Sequence, residues 1–110
     1  MIKLSEYVVG FLVGLNIKHA FVIQGGSVAQ LIDSIAKHSK INYITCQHEQ
    51  ACAMAADAYS RTSDTIGVAV ATSGPGATNL ITGISNAYYD SIPVLYITGN
   101  VASFRQSNNM

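Results

Sequence analysis

Apolar positions along the chain alternate between short unbroken runs and helical spacing. Ala20–Ile23, Ile41–Cys46, Ile66–Thr72 and Pro93–Thr98 are compact runs rich in β-branched and aromatic residues, which predicts strands. Ile66–Thr72 is almost wholly apolar, as expected where both sheet faces are covered. The segments between have a period near 3.6. Ser5 is placed to cap a helix with Val8, Phe11, Leu12 and Leu15 inward, and Ser27 a second with Val28, Leu31, Ile32 and Ile35 inward. A third helix runs from Glu49 to about Arg61, and a fourth from Ala77 to Tyr89.

Helix and strand in regular succession, with short connections, predict an α/β domain over residues 1–110. Its sheet is parallel, with helices on both faces in a Rossmann-like or flavodoxin-like three-layer arrangement. The tail Val101–Met110 is polar and aperiodic. A doubly wound sheet of so few strands has thinly covered edges, so the chain is expected to be a truncated piece of a larger domain.

Composition narrows this reading. Charged residues make up only 11% against 49% apolar, which suits a domain partly covered by other protein. A formal net charge of zero gives no basic footprint for nucleic acid or an anionic membrane. The apolar run Tyr7–Leu15 is too short to span a bilayer. Cys46 and Cys52 have neither zinc nor CxxC spacing and read as reduced thiols, which points to the cytoplasm.

In a parallel sheet, ligands gather at the carboxyl edge. Gln24-Gly25-Gly26-Ser27, Gln47-His48-Glu49, Ser73-Gly74-Pro75-Gly76 and Gly99-Asn100 all fall there. The glycine turns admit close approach by a ligand, yet neither GxxxxGK[ST] nor GxGxxG is present, so a phosphate loop is weakly supported. Glu49 reads either as a solvated helix-start glutamate or as a desolvated acid. The stripe Ala51, Ala55, Ala58 favours the second by letting a partner helix pack close, and burial would raise the carboxyl pKa. His19, His38 and Arg61 read as structural, and His48 as a neighbour of Glu49 that points elsewhere. Tyr88-Tyr89 is expected under a loop, Met54 in core or interface, and Cys52 as a small buried hydrophobe.

The stretch Phe21–Val101 resembles the N-terminal, pyrimidine-binding domain of thiamine-diphosphate-dependent enzymes of the acetolactate synthase-like group. The resemblance is carried by Gly25-Gly26-Ser27, by His48-Glu49-Gln50-Ala51 with Tyr59-Ser60-Arg61, and by Ala71 to Leu80. Asp90-Ser91-Ile92-Pro93-Val94 and Ile97-Thr98-Gly99 complete it. It implies that Glu49 is catalytic, hydrogen-bonding N1′ of the cofactor pyrimidine, and that Thr72, Gly74, Pro75, Asn79 and Gly25 line the cofactor. It implies Gly26, Ser27 and Asn100 beside a 2-oxo acid substrate. Mg²⁺ would be held by a separate diphosphate-binding domain, so no metal ligand is expected here. A homodimer or dimer of dimers would share each site, and the isolated chain would be inactive. Gln24 and Asn100 depart from the proline and glutamine common in the family, which leaves the identity of the substrate open, and the domains that would shape its pocket, absent here, leave carboligation and decarboxylation both open. The rival reading is a non-catalytic flavodoxin-like module that uses Gly74-Pro75-Gly76 for an anionic ligand.

Overall fold

A computed structural model describes residues 1–106; the end of the tail, 107–110, lies outside the described residues. Helix α1 (Leu4–Gly14) leads to β1 (His19–Val22), α2 (Ala29–Lys37), β2 (Asn42–Thr45) and α3 (Glu49–Thr62). Then come β3 (Gly67–Ala71), a short α4 (Pro75–Thr78), α5 (Ile81–Tyr89), β4 (Val94–Thr98) and a 3₁₀ turn at Ser103–Arg105. The strands form one parallel sheet in the order β2-β1-β3-β4.

Two cores sandwich this sheet. On one face α1 and α2 bury Val9, Leu12, Ile32 and Ile35 against Ala20, Val22, Val68 and Val70. On the other, α3 and the turn just before α5 bury Cys52, Ala53, Ala56 and Leu80 against Phe21, Ala69 and Ala71. The strand β3 is buried throughout, as its unbroken apolar run requires, whereas β2 is an exposed edge with Tyr43 and Ile44 open. The three-layer α/β expectation therefore holds.

Several local expectations are corrected. The fourth helix is not continuous, because Asn79 and Leu80 separate α4 from α5. Helix α1 is rotated from the expected face: Val9 and Leu12 are buried, while Phe11 and Leu15 face outward. Its apolar residues surround the axis, so spacing alone does not choose a face. Neither Ser5 nor Ser27 caps a helix. The Ser5 hydroxyl accepts from Ser34 at 2.8 Å, and the Lys3 N–H instead meets the Glu6 carboxylate. Tyr88 and Tyr89 stand exposed as an edge-to-face pair, and Met54 is exposed, which rules out the core and leaves the interface half of its expectation. Cys52 is buried as expected.

Arg61 is structural, as its sequence context implies. It pairs with Asp57 on its own helix and with Asp90 after α5, while the Asn86 amide donates to Asp57 at 2.6 Å. His19 bonds the Tyr59 hydroxyl at 3.1 Å across β1 and α3.

Candidate functional site

After β1 the chain turns to the α2 face, and after β3 it turns to the opposite face carrying α5, although β1 and β3 are paired neighbours. The crevice at their carboxyl ends is a topological switch point, where α/β sheets hold ligands. Gly25 and Thr72 close it from either side. A Cβ on Gly25 would stand 2.3 Å from the Thr72 Cβ, so only glycine fits.

The connection after β2 delivers Glu49 to this edge as the first residue of α3. His48 is its N-cap: Nδ1 accepts the Gln50 N–H at 3.1 Å, which commits the imidazole to helix capping. Across the crevice Gly74 adopts φ 68°, a left-handed conformation that suits glycine, and Pro75 opens α4 at its first position. Helix α4 then carries the chain to Asn79, whose Nδ2 donates to Glu49 Oε2 at 3.0 Å. Gly76 lies between them. A Cβ there would meet the Thr72 Cγ2 at 2.8 Å and Glu49 Oε1 at 3.4 Å, so the missing side chain keeps a bare floor beside the carboxylate.

The expectation of a raised Glu49 pKa is corrected. The Asn79 amide holds the carboxyl below its usual value, with further help from the Glu49 backbone N–H and from His48, against a smaller opposing effect of burial. Nor does the stripe Ala51, Ala55, Ala58 pack another helix within the chain. Ala51 and Ala58 are exposed, and α5 meets α3 instead at Ala53.

On the other side of Thr72 a cleft of about 570 Å³ gathers Gly26, Ser27, Thr72, Ser73, Asn100 and Arg105. Ser27 Oγ lies 2.8 Å from Thr72 Oγ1 and accepts the Ser73 N–H at 3.0 Å, which staples the loop after β1 to the loop after β3. Gly99 approaches from β4 so closely that a Cβ would fall 2.1 Å from Ser27 Oγ. The expected positions thus divide into two neighbouring groups. Glu49, Gly76 and Asn79 surround the carboxylate, whereas Gly26, Ser27 and Asn100 line the cleft, with Thr72 at the boundary. Pro75 and Gly74 are exposed at the rim. Sequence reasoning missed Arg105, which lies in an aperiodic tail, and the Ser27 staple, whose partners are distant in the chain.

A profile of the thiamine pyrophosphate enzyme N-terminal TPP binding domain matches residues 2–110. The chain belongs to this family. It is 48% identical over 99 residues to the acetolactate synthase large subunit of Buchnera aphidicola subsp. Acyrthosiphon pisum, covering 90% of the chain and 17% of that relative. It is 41% identical over 103 residues to acetolactate synthase isozyme 3 large subunit of Escherichia coli K12, covering 94% and 18%. A large subunit from Lactococcus lactis is 42% identical over 97 residues, covering 88% and 17%. The chain therefore spans about a sixth of the length of these curated relatives.

The residues present fit one end of the cofactor that names the family. A carboxylate oriented by an amide, above a floor lacking a side chain, suits the edge of a flat nitrogen heterocycle. Among the described residues no group of histidine, cysteine and acidic side chains is disposed to hold a metal ion, and no helix is long and apolar enough to cross a membrane. The rival anion-loop reading is disfavoured, because Gly74-Pro75-Gly76 leads into a helix of only 4 residues.

Proposed function

We propose that this chain forms the pyrimidine-facing half of a thiamine diphosphate site in an acetolactate synthase-like enzyme that acts on 2-oxo acids. The observation that carries the reading is the hydrogen bond from Asn79 to Glu49 over the bare floor at Gly76. Glu49 offers its carboxylate to a ring N–H and can share that proton. Asn79 fixes which oxygen is free to do so, and His48 caps the helix that presents it. Thr72, Gly25, Gly74 and Pro75 shape the walls. When bound, thiamine diphosphate supplies the electron sink that such reactions need.

Gly26, Ser27 and Asn100 would face the substrate from the cleft, with Ser27 held in place by Thr72 and the Ser73 N–H. Mg²⁺ and the diphosphate would belong to a separate domain supplied by a second subunit, so the active form is a dimer or dimer of dimers and the isolated chain is inactive. The free thiols of Cys46 and Cys52 support action in the cytoplasm. Carboligase and decarboxylase chemistry both satisfy this arrangement.

The test is exchange of the cofactor C2 proton in the complete polypeptide bearing Glu49→Ala. General acid–base groups contribute about 10²–10⁴-fold, and a loss of that order is expected. Exchange at the unaltered rate would overturn the proposal.

A further inference from the structure

The cleft beside Thr72 carries one full charge, the guanidinium of Arg105, and among the described residues no carboxylate lines it. Arg105 has no acidic partner among those residues: their ion pairs join Lys37 to Asp33 and Arg61 to Asp57 and Asp90. Its side chain contacts the Phe104 ring, with Cζ 5.6 Å from the ring centre, which uses none of its N–H donors.

The neighbouring polar groups also offer donors. Asn100 Oδ1 accepts the Val101 N–H at 2.8 Å, so the N–H groups of that amide are the part left for a ligand. The Val101 carbonyl accepts from Gln106 Nε2 at 3.2 Å and the Ala102 carbonyl from the Arg105 N–H at 2.8 Å, which engages both acceptors of the rim. Ser27 and Thr72 share a hydrogen bond at 2.8 Å, and Ser27 also accepts the Ser73 N–H. Each hydroxyl brings one proton and their mutual bond uses only one, so an O–H remains to donate outward.

We propose that Arg105 is a specificity-determining residue that binds the substrate carboxylate in this cleft, with the Asn100 amide and the remaining hydroxyl proton of the Ser27–Thr72 pair as further donors. The planar fork of a guanidinium matches the two oxygens of a carboxylate. A lone cation with no lysine beside it suits a monoanion and not a diphosphate. Thr72 is the boundary between this cleft and the Glu49 carboxylate, so a 2-oxo acid anchored at Arg105 directs its carbonyl toward the cofactor side. The inference deepens the proposed cofactor site and rests on it for where the reaction occurs. Its consequence is selection: 2-oxo acids are retained, and aldehydes and other uncharged carbonyl compounds are not.

The experiment treats the complete polypeptide with phenylglyoxal, an arginine reagent, and follows Arg105 by peptide mass spectrometry. Saturating pyruvate should slow modification there by about fivefold or more, through occupancy of the site. Pyruvamide, of similar size without the charge, should leave the rate unchanged. In steady state, Arg105→Gln should raise KM for pyruvate by about tenfold and lower kcat much less, as loss of a charge-assisted hydrogen bond in binding implies. Arg105→Lys should recover part of the difference. The inference is overturned if pyruvate does not slow the reagent at Arg105, if pyruvamide protects as well as pyruvate, if inorganic pyrophosphate protects better than either, or if Arg105→Gln keeps the unaltered KM. The cofactor reading fails by a different result, C2-proton exchange that survives Glu49→Ala, and the labelling of Arg105 is read independently of that exchange.

Discussion

Gly83 of α5 rests directly on Ala53 of α3: a Cβ at Gly83 would fall 2.2 Å from the Ala53 Cβ. The contact sets the spacing of the two helices whose starts flank the Glu49–Asn79 pair. Gly83→Ala should destabilise the domain by about 2 kcal/mol through overpacking. It should also push Asn79 away from Glu49. Urea denaturation checks the first effect and a carboxyl titration the second; unchanged stability would show that the helices can separate freely.

Asn79→Leu should raise the Glu49 pKa, because the amide is the main influence holding it down. Since the folded value lies below the ordinary 4.5, the pair stabilises the fold above pH 4.5, and that contribution is lost as pH falls through the folded value. In Asn79→Leu this part of the acid destabilisation should shrink. Carbon-detected titration of the Glu49 carboxyl reads the shift directly.

The Asp57 carboxylate is nearly buried and held below its ordinary value, first by the Arg61 hydrogen bond and then by the Asn86 amide, with burial opposing both. Its contribution is present above the unfolded value of 3.8 and disappears as pH drops through the lower folded one. Asp57→Ala should cost about 2 kcal/mol at pH 7, since charge-assisted bonds to Arg61 and Asn86 are lost together. Thermal melts at pH 7 and pH 3 should differ less in the variant than in the unaltered chain.

Gly99→Ala should displace the Ser27 hydroxyl, which occupies the space a methyl would need. Losing the bonds to Thr72 and the Ser73 N–H costs about 1–2 kcal/mol, with strain added. Hydrogen exchange at the Ser73 amide is the specific measurement. Protection should fall there while the amides of β3 stay protected.

Much of this architecture was legible in the chain. The runs at 20–23, 66–72 and 93–98 could only be strands once flanked by glycine and by helical spacing, and they place every expected site residue on one sheet edge. The electrostatics of Glu49 were not legible, because the deciding partner, Asn79, lies thirty residues away across a turn. The break between α4 and α5 was hidden by residues that suit either a continuous or an interrupted helix. The orientation of α1 was hidden for the opposite reason, since too many of its positions are apolar. Serine hydroxyls at 5 and 27 looked like caps locally, but tertiary partners claimed both.

The pairing of Phe21 with Ala69 and Val22 with Val70 has a kinetic consequence. On the ribosome the first strand emerges long before its central neighbour and can meet only the partner on its other flank. Until residues near 70 are translated, one side of that strand keeps unpaired amides and carbonyls, the kind of edge that recruits foreign strands. Closing the remaining side depends on a contact between distant parts of the chain, which is slow to form. Nascent chains halted before that point should be the ones that bind chaperones.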